Sequence, residues 1–263
     1  GYVWAGLYGE GVLRINPEAT RIQYLNQELR NGNVLSITGR GNTVWLATLG
    51  GGTQIKFSGD QLEMKNYGRQ EGLISDYIYQ IFIDSQERVW FATDGKGAAM
   101  LDGSGFHHYE KGLQTKVVYG FAEDVNHRIW VNVQGEGLYQ FDGNAFQPLD
   151  KSTPLRDKNI NAFSSDTYGN LVIMHDFGIE IYDVQKKKIR YLGDEVGIRD
   201  MKPNLNALTK DFRGRIYVGT DHGIIKYSDR TYHSLTYPVP GIEGLMVADK
   251  NVDLSAVLSF AHD

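Results

Sequence analysis

The sequence contains no cysteine and only six prolines in 263 residues. The first absence excludes a disulfide framework, thiolate metal sites and a cysteine nucleophile, but it leaves the compartment open, because large exported domains often lack disulfides. The second argues against a proline-rich linker. No apolar run approaches the roughly 18–20 residues that span a bilayer, so this segment is not expected to insert into a membrane, and residues 1–30 lack signal-peptide order. A positive excess is missing as well: 27 Lys and Arg against 32 Asp and Glu leave a net charge of −5, with no field to hold nucleic acid. Helical periodicity is absent over any window of a dozen residues, which disfavours an α-solenoid. What the chain does have is 31 glycines, 16 tyrosines and 41% hydrophobic residues. That composition suits glycine turns between aromatic strands in a chain long enough to bury about three-quarters of its unfolded surface.

An internal repeat organises the sequence. VWAGLYGEGVLRIN from Val3, VWLATLGGGTQIKF from Val44, VWFATDGKGAAMLD from Val89 and IWVNVQGEGLYQFD from Ile129 align without a gap, with Trp4, Trp45, Trp90 and Trp130 in register. Two looser copies start at Leu171 and Ile216, with one residue fewer in the turn, and the six starts are spaced by 41, 45, 40, 42 and 45 residues. The third unit shows four strands: Tyr77–Ile83, Val89–Thr93, Ala98–Leu101 and Phe106–Tyr109, with a glycine hairpin through residues 94–97. A period of 40–45 residues with four strands per unit predicts an all-β propeller, and the tryptophans are expected to pack between blades. Six four-stranded blades fit best, with seven blades, one missing or partial, as the alternative.

Turn chemistry supports the register. Asp84, Asp124, Asp166 and Asp211 each stand five residues before the second strand, where a carboxylate can accept backbone N–H bonds. The second unit has Gly39 there, predicting a different turn. Gly11, Gly52, Gly97 and Gly137 recur in the other hairpin, where a side chain would be excluded. The final AVLSFAHD matches VVYGFAED from Val117 at four of eight positions, which would make it an inner strand that closes the ring with the amino terminus. A competing alignment puts an inner strand at Gly244–Asp249, and Tyr237–Asp253 is otherwise expected to be a long mobile connection on the ligand face. Residues 1–263 are read as one propeller domain, a fragment of a longer receptor.

The composite of apolar strand, Asp, short turn, Val-Trp-x-x-Thr, two-glycine hairpin and aromatic strand resembles the regulator-propeller repeats of bacterial two-component sensors. DSQERVWFATDGKGAAMLD from Asp84, preceded by EGLISDYIYQIFI from Glu71, carries the likeness best. The resemblance implies the periplasmic or otherwise extracytoplasmic sensory part of a hybrid histidine kinase, detecting carbohydrate-derived ligands. The partners it implies are an oligosaccharide or other small ligand, neighbouring domains of the same receptor and a possible homodimer. Val133 and His175 depart from it, standing where those repeats favour threonine.

In this strand order, the loops that enter the inner strands and the two-glycine hairpins open on one face. Arg69, Tyr77, Asp94, Lys116, Arg156 and Arg199 fall there, and guanidinium forks with aromatic faces suit hydroxyl-rich or anionic ligands. A solvated loop face is the plain alternative. A protein-interaction scaffold is the second functional reading. A metal-dependent lyase or hydrolase using His175 and His222, each beside an aspartate, is the third. No nucleophile elbow and no phosphate loop opening a helix occurs, so neither catalytic residues nor a cofactor are assigned.

Overall fold

Short apolar stretches broken by glycine and aspartate turns become six antiparallel sheets, each a meander of strands adjacent in sequence. The computed structural model describes residues 2–193, 196–198, 201–211, 213–228, 244–247 and 250–252, the last two stretches by backbone alone. The first sheet holds β1 (Val3–Leu7), β2 (Gly11–Ile15) and β3 (Ile22–Leu25), and the second holds β4 (Val34–Arg40), β5 (Thr43–Thr48), β6 (Gly51–Ser58) and β7 (Gln61–Tyr67). In the third are β8 (Ile78–Ile83), β9 (Val89–Thr93), β10 (Ala98–Asp102) and β11 (Gly105–Tyr109). The fourth has β12 (Val118–Glu123), β13 (Ile129–Val133), β14 (Gly137–Phe141) and β15 (Phe146–Pro148). The fifth consists of β16 (Ala162–Ser165), β17 (Leu171–His175), β18 (Gly178–Asp183) and β19 (Lys188–Leu192). The sixth contains β20 (Pro203–Lys210), β21 (Ile216–Thr220), β22 (Gly223–Tyr227), β23 (Gly244–Val247) and β24 (Lys250–Val252). This is the six-bladed, all-β propeller fold expected from the repeat; a short 3-10 turn spans Arg69–Glu71.

The chain divides into two compact units, Gly1–Phe121 with Ile129–Pro148, and Ala122–Arg128 with Leu149–Asp263. In the first unit β5, β9 and β13 are buried on both faces, which is why they read as nearly continuous apolar runs. On β9, Trp90 joins Val118, Phe121 and Tyr139 of the fourth sheet, while its neighbour Phe91 joins Trp45 and Tyr67 of the second. Trp45 meets Phe91 edge-on at 5.8 Å, and Trp90 lies 5.7 Å from Phe121. Trp45 and Trp90 therefore each pack on the blade that follows. Trp45, Trp90 and Trp130 are fully buried, but Trp4 is only half-buried, because β1 is the edge of a sheet with three described strands. In the second unit the same layer is aliphatic: Val172, Met174 and Ile181 pack on Ile216, Val218 and Ile225.

Two readings of the turns need correction. The ungapped alignment is one residue out in the second blade: Thr48 pairs with Gly51 across a two-residue turn, whereas Leu7 pairs with Gly11 and Val133 with Gly137 across three. Gly51, not Gly52, thus takes the left-handed position (φ 114°), and a Cβ there would stand 2.2 Å from the Tyr67 carbonyl oxygen. The segment assigned as a long connection contains β23, paired with β22 as the fourth strand of the sixth sheet and followed by β24. It is therefore neither wholly a loop nor the inner strand of another blade. The closing strand expected at 256–263 lies outside the described residues. In the second blade, Arg40 pairs directly with Thr43 across Gly41 and Asn42, the different turn that Gly39 predicted.

Candidate functional site

The face is built by backbone bonds between entering loops and hairpins. Asp94 N–H donates to the Tyr77 carbonyl (3.1 Å) and Gln134 N–H to that of Val117 (3.0 Å), each within one blade. Gly97 N–H donates to the Lys116 carbonyl at 2.7 Å, tying the third hairpin to the entry of the fourth blade. In the second unit, Asp221 N–H donates to the Lys202 carbonyl at 3.1 Å. Loops that enter inner strands therefore do lie beside hairpin tips.

Of the six residues singled out, four stand together in the first unit. Arg69 opens the 3-10 turn; its amide donates to Asp76 Oδ1 at 2.9 Å and its Nε lies 3.5 Å from Asp76 Oδ2. Tyr77, next to Asp76, is half-exposed, and Lys116 pairs with Glu110 at 2.8 Å. The turn is held from below: Glu71 accepts from the Gly68 amide at 2.7 Å and from both arms of Arg30, at 2.9 and 2.5 Å. The Arg30 guanidinium holds the Glu71 carboxyl down to about 2.

Arg156 belongs to the second unit. Its guanidinium lies 3.5 Å from the centre of the Tyr191 ring, and its amide donates to Glu180 Oε1 at 3.0 Å. Arg199 lies outside the described residues.

The histidine pair does not take the arrangement that the third reading needs. His175 ends β17 at the threonine position of the repeat, where Thr48, Thr93 and Thr220 hydroxyls donate to the carbonyls of Gly51, Gly97 and Gly223. His175 occupies that hairpin-closing place: its Nδ1 accepts from the Phe177 amide at 3.3 Å, and Nε2 lies 3.5 Å from Glu180 Oε2. Both side chains are buried, so His175 is not displayed on the hairpin face. His222 is exposed, 3.7 Å from Asp221, and no group of three His, Asp or Glu that could hold a metal occurs among the described residues.

Two residues escaped the sequence reading. Tyr79 and Tyr119 stand five residues before Asp84 and Asp124, and their rings meet edge-to-face at 4.9 Å. Tyr79 hydrogen-bonds the Asp94 carboxylate, and Gln134 Nε2 donates to Tyr119 Oη at 2.7 Å. Burial pushes both phenols up, with Asp94 adding to the effect. Aligning YIYQIFI with VVYGFAE would have found them, since both tyrosines occupy the third place.

Residues 72–95 match the family model of the two component regulator propeller, a stretch that runs from the end of the 3-10 turn into the third hairpin. A comparison with curated protein sequences finds no match. Among solved structures, the chain is similar to the extracellular domain of a protein assigned as the hybrid two component system BT3049 from B. thetaiotaomicron. That match has 22% identity and a TM-score of 0.71 over 85% of this chain and 32% of that one. The corresponding domain of BT4673 from the same organism matches at 20% identity and TM-score 0.67, over 87% and 31%. Virginiamycin B lyase from Staphylococcus aureus matches at 13% and 0.66, over 87% and 78%. The chain thus spans about a third of the length of the two B. thetaiotaomicron domains, and the shared property is the propeller fold.

Proposed function

We propose that this chain is a non-enzymatic, ligand-sensing propeller from the extracytoplasmic part of a two-component receptor. It recognises a carbohydrate-derived ligand through Arg69, Tyr77, Asp94 and Lys116 on loops of the first unit, with Arg156 of the second unit and Arg199, outside the described residues, as further candidates from the repeat pattern. One observation supports this most directly: hydrogen bonds between hairpins and entering loops gather Arg69, Tyr77, Asp94 and Lys116 on neighbouring loops of one unit. Cations, a carboxylate and an exposed aromatic ring so placed can hold hydroxyls and anionic groups without a nucleophile or base. The regulator-propeller repeat at 72–95 and the fold shared with extracellular domains of two-component systems support the receptor context and the extracytoplasmic location. No helix among the described residues is long and apolar enough to cross a membrane. The fold is shared with a lyase too, but the buried hairpin role of His175 leaves the enzymatic reading without its principal residue.

Isothermal titration against a panel of oligosaccharides tests the proposal. Binding by one member, weakened about tenfold or more in Tyr77→Ala and Arg156→Ala, is expected, since a hydrogen bond to a charged group contributes about 1.5–3 kcal/mol. Absence of binding across the panel, with a protein partner captured by the same face, would favour the scaffold reading. Metal-dependent product formation that His175→Ala abolishes would overturn both.

A further inference from the structure

On the third blade, a groove of about 630 Å3 opens between the 3-10 turn, the hairpin tip and the end of the outer strand, lined by Arg69, Ile74, Lys96, His108 and Glu110. Only Arg69 belongs to the ligand face proposed above. The volume is in the range of small-ligand clefts, roughly 300–1,000 Å3.

Its walls are fixed before any ligand arrives. Leu73, 2% exposed, anchors the loop in the core beside Phe91 and Ile81, with Ile74 packed against the same cluster. The Arg30–Glu71 fork and the Asp76 bond hold the turn that presents Arg69. Opposite, the hairpin tip lies against the end of the outer strand, because residue 97 has no side chain. A Cβ on Gly97 would stand 2.3 Å from the Tyr109 carbonyl oxygen and 3.1 Å from Glu110 Cα. That close approach sets exposed Lys96 beside Glu110.

The charges do not cancel. Two cations, Arg69 and Lys96, line the groove against one carboxylate, Glu110; Arg69 is shared with Asp76 and Glu110 pairs with Lys116 from outside the lining, whereas Lys96 has no salt bridge among the described residues. Lys116 first, and Lys96 more weakly, draw the Glu110 carboxyl below its ordinary range, which puts Lys96 within electrostatic reach of the same group. A cleft with surplus positive charge, one carboxylate acceptor and an apolar floor selects an anion that also carries a donor and a hydrophobic body.

We propose that this groove is a binding site for a small carboxylated ligand, with the carboxylate between Arg69 and Lys96, the body over Ile74, and Glu110 accepting from a ligand hydroxyl. The inference deepens the ligand-face reading through Arg69, but Lys96 and His108 belong to the groove alone.

Titration calorimetry on the whole chain tests it with three probes: digalacturonate, its dimethyl ester and citrate. Digalacturonate is expected to bind at least tenfold more tightly than the ester, and to weaken as salt rises from 50 to about 300 mM, as a partly exposed charge contact should. Lys96→Gln, at an exposed hairpin tip, is expected to weaken both acids about tenfold or more. Citrate binding lost in Lys96→Gln would uphold the groove even if every neutral saccharide failed on the wider face. Equal affinity for acid and ester, unchanged affinity in Lys96→Gln, or no binding of either acid at millimolar concentration would overturn it.

Discussion

At the scale of single residues, the aspartate of each turn does more than close it. Asp84 Oδ1 accepts from the amides of Gln86 and Arg88, both at 2.9 Å, and Oδ2 accepts from Arg88 Nε at 2.6 Å and the Trp90 indole at 2.8 Å. Asp124, Asp166 and Asp211 repeat the pair of amide bonds at the second and fourth residues after them. Each also receives a side-chain donor from that fourth residue, Arg128, Asn170 or Arg215. One carboxylate thus links a turn to the second strand. Asp84→Ala should destabilise the protein by about 3 kcal/mol in urea unfolding, because it strands a fully buried indole N–H and two amides. The matching Asp211→Ala should cost about 1 kcal/mol, since that carboxylate is 19% exposed and water can replace it.

At the scale of elements, the 3-10 turn shows how a loop is made rigid. Its clamp is electrostatic and depends on pH. The Glu71 carboxyl lies near 2 in the folded chain against an ordinary 4.5, so its folded pKa is depressed. The stabilisation is therefore complete above about pH 4.5 and is lost as pH falls towards 2. The fork is partly open to water, with side chains 35% and 28% exposed, so no more than about 1 kcal/mol is expected. Unfolding measured from pH 6 to about 2 should show this loss in the native chain and a shallower slope in Arg30→Gln. The same comparison should show weaker citrate binding in the variant, because the turn that presents Arg69 is loosened.

At the scale of the whole molecule, blade-to-blade packing carries the fold. Trp90 is 0% exposed and touches Tyr109, Phe121 and Phe141. Trp90→Ala should cost roughly 3–5 kcal/mol by calorimetry or denaturant, the range for emptying a large aromatic site. Trp4→Ala should cost less, since its half-buried ring has Phe57, at 5.9 Å, as its one aromatic ring neighbour among the described residues.

The amino-acid order by itself determined the repeat, the strand type, the aspartate turns and the burial of three tryptophans, because each depends on neighbours within about ten residues and recurs in several copies. It also placed entering loops beside hairpin tips within each unit, since strand direction alternates along each meander. The tertiary structure alone decided that Gly51 and not Gly52 takes the left-handed turn, because pairing, not spacing, selects the residue that meets the Tyr67 carbonyl. It decided that His175 is buried, because the hairpin needs a group to close it and Glu180 comes from the partner strand. It decided too that Gly244–Val247 joins the sheet begun at Pro203–Lys210, pairing with Gly223–Tyr227. The groove is of the same kind: Arg69, Lys96 and Glu110 share no motif, and they meet only because a loop, a hairpin tip and a strand end converge in space.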